Sequence, residues 1–462
     1  MSVAGAIMVP HPPIILPEVG KGEERKISAT AGAYDRAADL IRELGPETIV
    51  VISPHSAMYY DYFHISPGDA AEGDMGRFGA PDVRMRAEYD RKFVNELSDL
   101  AEKNGFPAGT LGERDGELDH GTMVPLFYVN RHYREYRLVR IGLSGLPLAD
   151  HYRLGQLIRE TSEQLGRRIV VIGSGDLSHR LLKEGPYGFA EEGPEYDSRI
   201  MDVMGRAAFD ELLDFDGDFC SRAAECGHRS FCVMAGALDG KTVKTERLSH
   251  EGTFGVGYGV CTYRVTGDDM ERKMLDKWKT RQKREQGPKP LDDDPFVRLA
   301  RYAVTVQINE GVKPELPEGL PDEMLNRRAG VFVSIHRSGQ LRGCIGTILP
   351  TRRCIAEEIM ENAVSAATRD PRFPAVRAYE LDSLEISVDE LSAPERIRSV
   401  SELDVRRYGV IVSKGLRKGL LLPNLEGVDT AEEQVSIAMR KAGIPDQEDG
   451  VLMERFEVVR HV

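Results

Sequence analysis

The chain has 462 residues, 41% of them hydrophobic and 29% charged, with a formal net charge of −14. That length suits two to three domains, and the acidic balance argues against bulk nucleic-acid binding and against an anionic membrane surface. No apolar run reaches the roughly 18–20 residues of a membrane span. The opening MSVAGAIMVPHPP lacks a basic n-region, so it reads as a first strand and not as a signal peptide. The six cysteines form no CxxC pair, which fits a reduced, cytoplasmic protein with free thiols.

Three short Ile- and Val-rich runs each end in a histidine: Ala4–His11 (AGAIMVPH), Thr48–His55 (TIVVISPH) and Arg168–His179 (RIVVIGSGDLSH). Unbroken apolar runs of this length read as strands buried on both faces of a parallel sheet. Ligands of open α/β sheets bind beyond the C-terminal ends of such strands. One histidine there is ordinarily a turn or capping residue, but three in the same context point to a metal or acid–base site.

Between these runs, His11-Pro12-Pro13 turns the chain out of the sheet, and Ile27–Leu44 has helical spacing up to Gly45-Pro46. Residues 56–82 show no clear period and are expected to be a loop, such as a lid over a site. Glu88–Asn104 is an amphipathic helix ended by Asn104-Gly105. Leu118–Tyr128 (LDHGTMVPLFY) places His120 and Gly121 ahead of an apolar run. Tyr136–Leu143 reads as a strand, and Ala149–Leu165, Pro194–Met204 and Phe231–Leu238 as helices. Thr242–Ser249 and Gly255–Val265 read as closing strands. The alternation makes residues 1–267 an α/β unit, with a mixed, largely parallel sheet flanked by helices.

Composition shifts at Gly267. Residues 268–293 are dense in charge, Pro and Gly, and are expected to be a solvated linker, although Met274, Leu275 and Trp278 would give a short helix an apolar side. Asp294-Pro295 then opens a helix with a carboxylate cap and a proline at its first position. Gly330–Ile335, Leu341–Ile348, Leu384–Leu391, Tyr408–Ser413 and Gly419–Leu422 read as strands, and Cys354–Ala367 and Thr430–Ala442 as helices. Residues 294–462 are therefore expected to form a C-terminal α+β domain.

The candidate ligands in the first unit are His11, His55, His120 and His179, with a carboxylate among Glu225, Glu251 and Asp176. Two histidines and one carboxylate on one face of a metal suit non-haem Fe(II) and oxygen chemistry, although the same ligand types also serve Mn and Zn. MVPHPP, VISPH, LDHGTMVPL and GSGDLSH, in that order over residues 1–265, resemble the motif set of the class III extradiol ring-cleaving dioxygenases. The resemblance implies Fe(II), O2 and a catechol-like or other small aromatic substrate. It matches His11, His55 and Glu225 to the metal ligands, His179 to an acid–base histidine, and His120 to a histidine contacting substrate or oxygen. A histidine titrating near neutral pH can take the protons that a chelating diol must lose. One departure stands out. Cys226 directly follows Glu225, and the related Memo proteins carry a cysteine in this part of the site. If Cys226 faces the metal instead, the site is softer and ring cleavage is disfavoured.

The second domain resembles the AMMECR type through Leu341-Arg342-Gly343-Cys344-Ile345-Gly346, supported by Arg369-Asp370-Pro371-Arg372-Phe373, LEISVDEL and Leu421-Leu422-Pro423-Asn424. Cys344 beside Arg342 reads either as an activated thiol in an accessible turn or as part of a tightly packed hairpin whose glycines allow backbone contact. The pairing of the two units resembles the AmmeMemoRadiSam arrangement, which implies a radical S-adenosylmethionine protein as partner. The chain has no CxxxCxxC motif, so the Fe–S cluster would belong to that partner. The dioxygenase resemblance also allows a homo-oligomer.

Overall fold

The computed structural model describes residues 2–462 except 115, 286–293, 338–339, 416, 426, 446–447 and 449. The chain divides into two compact units, Met1–Gln286 and Gly287–Val462. The expected linker falls partly on 286–293, outside the described residues.

The first unit is built on a six-stranded sheet whose strands are β1 (Val3–Val9), β2 (Thr48–Ser53), β3 (Arg137–Gly142), β4 (Ile169–Ser174), β5 (Lys241–Glu251) and β6 (Tyr258–Asp268). Their order across the sheet is β3-β2-β4-β1-β6-β5. The first four run parallel, and β6 and β5 add antiparallel to β1. β1, β2 and β4 are buried along their whole length, as expected for strands covered on both faces. One face packs on helices Arg91–Lys103, Leu148–Leu165, Glu192–Arg206 and His228–Ala237. The other packs on Ser28–Leu44 and His120–His132. The strands that deliver His11, His55 and His179 are thus three neighbours, β1, β2 and β4, with β4 in the middle. Their exits crowd one short stretch of sheet edge.

Two expectations need correction. Residues 56–82 are not a structureless lid. They hold strand Phe63–His64, strand Ala70–Met75, which pairs antiparallel with Ala80–Glu88, and the 3-10 turn Gly76–Phe78. The charged stretch after Gly267 is also structured over its first part, because β6 runs to Asp268 and a helix spans Met274–Glu285. Met274 and Leu275 are buried in the first unit's core. The Trp278 indole donates to Asp214 Oδ1 at 2.8 Å, and Arg281 pairs with Asp210 and Asp214. Three apolar side chains at one helical face outweigh a composition that is otherwise all charge.

The second unit is a seven-stranded antiparallel sheet with strands β7 (Gly330–Arg337), β8 (Gln340–Gly346), β9 (Leu384–Leu391), β10 (Glu395–Ile397), β11 (Tyr408–Lys414), β12 (Arg417–Leu421) and β13 (Leu452–His461). The order is β8-β7-β9-β13-β11-β12, with β10 also on β13. Helices Pro295–Glu310 and Ile355–Thr368 cover one part of the sheet, and Ala431–Lys441 another.

Trp278 is the chain's one tryptophan, so its fluorescence reports on the first unit. Leu275→Ala should lower that unit's stability by roughly 2–4 kcal/mol, the range for deleting a buried leucine, in denaturant unfolding followed at Trp278. A change below about 0.5 kcal/mol, the size of a surface effect, would mean that the helix is only loosely attached.

Candidate metal centre

β1 ends at Val9, and Pro10 and His11 follow it out of the sheet. The His11 main-chain N–H donates to Asp176 Oδ1 at 2.8 Å, which ties the β1 exit to the β4 exit. The ring is 2% exposed. Its Nδ1 lies 2.9 Å from Ser174 Oγ, at the end of β4. Ser174 Oγ donates its own hydrogen to the Gly121 carbonyl at 2.5 Å. The hydroxyl can therefore only accept from His11, which places the ring proton on Nδ1 and leaves the Nε2 lone pair facing inward.

β2 ends at Ser53, whose hydroxyl donates to Asp119 Oδ1 at 2.5 Å and accepts the His55 N–H at 3.2 Å. Asp119 caps helix His120–His132, accepting from the Thr122 N–H at 3.0 Å. One carboxylate thus holds both the His55 turn and the His120 helix. Gly121 makes this approach feasible, since a Cβ there would sit 2.4 Å from Ser53 Oγ.

His55 Nε2 lies 3.0 Å from His11 Nε2. Cys226 Sγ lies 3.6 Å from the same nitrogen and accepts the Asp176 N–H at 3.3 Å. His11, His55 and Cys226 offer three ligand atoms that all lie within 4.8 Å of one another. For a tetrahedral ion with N bonds of about 2.05 Å and an S bond of about 2.3 Å, the N–N and N–S edges would be roughly 3.3 and 3.6 Å. The observed spacings fit a single ion.

Glu225 is not brought into this group. Its Oε2 accepts the His228 N–H at 2.6 Å, at the start of helix His228–Ala237, and burial raises its pKa to about 7. The neighbouring residue is presented instead because the backbone leaves little choice. Ala224 takes a left-handed conformation, φ 54°. Gly227 then packs directly on Gly175, where a Cβ would lie 2.0 Å from the Gly227 Cα. Of the other carboxylates weighed, Glu251 accepts from the Thr30 N–H and hydroxyl, both at 2.6 Å. Asp176 stands beside the site, 3.9 Å from His179 Nε2.

The remaining histidines surround the trio. The His120 ring is 4.0 Å from that of His55 and 5.3 Å from that of His11. His179 stacks on Tyr187 at 5.0 Å, and Phe78 meets His120 edge-on at 5.2 Å. Burial lowers the pKa of every one of these imidazoles. His11 is well below the ordinary value, with the His55, His120 and His179 charges adding to the effect. His120 is pushed down to about 4 by burial and then by His55, against Asp119. His55 and His179 move down for the same first reason. Burial pushes the Cys226 thiol up and Asp176 to about 7. The pocket is thus built to hold neutral ring nitrogens, the form that ligates metals and accepts protons. The residues missed from the sequence are Ser53, Ser174 and Asp119, which orient the histidines, and the flanking rings of Phe78 and Tyr187.

A LigB family model, described as the catalytic LigB subunit of aromatic ring-opening dioxygenase, matches residues 5–261. The chain belongs to the LigB family. An AMMECR1 model matches residues 297–461, so this LigB-family chain carries an AMMECR1 unit behind its dioxygenase-fold unit. Protein CA_C1420 of Clostridium acetobutylicum is 41% identical over 471 residues, covering 100% of this chain and 99% of that protein. A Thermotoga maritima protein is 51% identical over 172 residues, 37% of this chain and 99% of its own length. Among solved structures, uncharacterized protein PH0010 from Pyrococcus horikoshii is 33% identical and covers 36% of this chain and 88% of its own, with a TM-score of 0.34.

In the AMMECR1 unit, Leu341–Gly346 lies within β8 and is not an accessible turn; Cys344 pairs with Ser334 of β7. Arg342 is held by Glu380 through Nε and Nη2, at 2.9 and 3.1 Å, and donates to the Pro374 carbonyl at 2.6 Å. A Cβ on Gly343 would lie 2.2 Å from the Ala366 carbonyl. The motif is a packed hairpin, with Arg342 fastening it to the segment that follows helix Ile355–Thr368.

Cobalt substitution separates the two ligand sets. Co(II) added to metal-free protein should give a thiolate-to-cobalt charge-transfer band in the near ultraviolet. Cys226→Ser should abolish the band, and Glu225→Gln should keep it. Loss in the glutamine variant alone, with the fold intact by circular dichroism, would restore the carboxylate.

Proposed function

We propose that the LigB-family unit is a metal-dependent catalytic unit with a soft centre, His11, His55 and Cys226, and that it processes a small aromatic molecule without opening the ring. The observation that carries this reading is the thiol of Cys226 in the place where ring cleavage calls for a carboxylate. Two imidazoles and a thiolate favour Zn, Cu or Fe over Mn. A bound ion would supply charge stabilisation and a fixed point for the substrate.

The chain's own residues do the rest. Ser174 keeps His11 in one tautomer, and Asp119 with Ser53 sets the His55 turn. His120 and His179, neutral at physiological pH, accept a proton from a group held beside the trio. Phe78 and Tyr187 offer flat faces to a planar substrate. In this reading the chain is a component of a radical S-adenosylmethionine enzyme system and leaves the Fe–S chemistry to its partner.

A second reading, an Fe(II) extradiol dioxygenase consuming O2, is favoured by the LigB match over residues 5–261 and by the two extra imidazoles beside the trio. Metal analysis of anaerobically purified protein, followed by oxygen-electrode assays with catechols, decides between the two. The first reading expects about one metal per chain and no oxygen uptake above the metal-free control. Catechol-dependent uptake with a ring-opened product would establish the second.

Under either reading, His11→Ala and His55→Ala should abolish stoichiometric binding. Ser174→Ala should weaken metal affinity by roughly 10–100-fold, as for other residues that orient a ligating histidine, in competition titrations with a chelator. Unchanged affinity in all three variants would reject the site.

A further inference from the structure

Strand alternation divides the Leu341–Gly346 motif between the two faces of its sheet. Gly343 packs on the Ala366 carbonyl of helix Ile355–Thr368, and Val333, Ile335, Ile386 and Val388 line the core on that side. Cys344 therefore points to the opposite face. There it belongs to a row, because Cys344 of β8 pairs with Ser334 of β7, and Ser334 with Ser387 of β9. All three are half-buried, so solvent reaches this row. The Ser334 hydroxyl donates to the Cys344 sulfur at 3.3 Å.

Two arginines flank the row, each set in place by a buried aspartate. Asp370 accepts the Cys344 N–H at 2.9 Å and the Arg372 Nε and Nη2 hydrogens at 3.0 and 2.7 Å. Arg372 also donates to the Cys344 carbonyl at 3.1 Å. Asp389, two residues along β9 from Ser387 and on the same face, accepts from Arg460 Nε and Nη2 at 2.8 and 2.9 Å. An aspartate on the Nε and Nη2 edge leaves Nη1 on the other edge of the guanidinium. Both arginines thus turn their Nη1 hydrogens away from the carboxylates that hold them. Their side chains are 54% and 52% exposed, whereas Asp370 and Asp389 are buried. The Cys344 sulfur is within electrostatic reach of both cations.

We propose that this face of the AMMECR1 unit is a second site, where Arg372 and Arg460 hold a small oxyanion, a carboxylate or a phosphate, against the Cys344 thiol. Guanidinium forks match such groups in shape and charge. A partly exposed thiol among cations is in the electropositive surrounding in which cysteines react. The site shares no residue with the metal centre.

The test is alkylation of the native full chain by iodoacetate and by iodoacetamide, with the rate at Cys344 read by peptide mass spectrometry and N-acetylcysteine amide as reference thiol. In both reactions sulfur bonds to carbon, iodide leaves with the electron pair of the C–I bond, and the thiol proton goes to solvent. The reagents differ in charge. The iodoacetate-to-iodoacetamide rate ratio at Cys344 should therefore exceed that of the reference by roughly tenfold, the scale of one charged hydrogen bond. Phosphate or acetate, added at constant ionic strength, should slow the reaction with iodoacetate, and the one that protects at lower concentration is the preferred group. Arg460→Gln should cut the ratio by roughly threefold, the scale of an exposed ion pair. Buried Cys354 reports the fold and should stay unmodified in that variant; if it reacts, protection of the wild-type chain decides. No reaction at Cys344, a ratio equal to that of the reference thiol, or an excess that neither anion nor Arg460→Gln reduces would overturn the proposal.

Discussion

The site depends on one backbone contact. Gly175, just past β4, and Gly227, just before helix His228–Ala237, touch main chain to main chain. A side chain at Gly175 would run into the Gly227 main chain and push the two segments apart, and Cys226 would leave the β4 exit; at Gly227 it would meet the Phe231 ring. The contact also explains why adjacent residues have different surroundings. Cys226 is turned to the Asp176 amide and the His11 ring, and Glu225 to the His228 amide. A donor set is decided here by steric contact between glycines and not by the affinity of the side chains involved. The same packing places the carboxylate where it caps a helix, a role that a negative charge at a helix N-terminus fills well.

Burial then sets the chemistry. The strands that carry the histidines are covered on both faces, so their exits open into a low-dielectric rim. There, neutral imidazoles are favoured and a lone charge is costly. Hydroxyls and one carboxylate, not cations, position the histidines. Ser174 orients the His11 ring through a bond whose direction is forced by its own donation to Gly121, and Asp119 fixes the backbone at two places, the His55 turn through Ser53 and the start of the His120 helix through Thr122. These ties place the donor atoms before anything binds, which is what precise ligation and proton transfer require.

Much of this was legible in the sequence, for physical reasons. Fully buried parallel strands must be continuous apolar runs, and those runs located His11, His55 and His179. The order of motifs along residues 1–265 identified the fold of the first unit, and Leu341–Gly346 that of the second. What was not legible follows from the same physics. Nothing local distinguishes Glu225 from Cys226; the choice rests on Ala224 and on a glycine 50 residues away in sequence. The Met274–Glu285 helix hides three apolar residues among charges. β13 escaped notice because LMERFEVVRH carries charges throughout and buries only Phe456 fully. Yet β13 lies between β9 and β11 and joins the two halves of its sheet. Residues 56–82 read as a loop because short edge strands and a hairpin leave no long period.

X-ray absorption at the edge of the bound metal tests most directly which atoms surround the ion. One sulfur scatterer is expected at about 2.3 Å together with imidazole nitrogens at about 2.0–2.1 Å, with the sulfur shell lost in Cys226→Ser. A first shell of nitrogen and oxygen alone in the wild-type protein would contradict it.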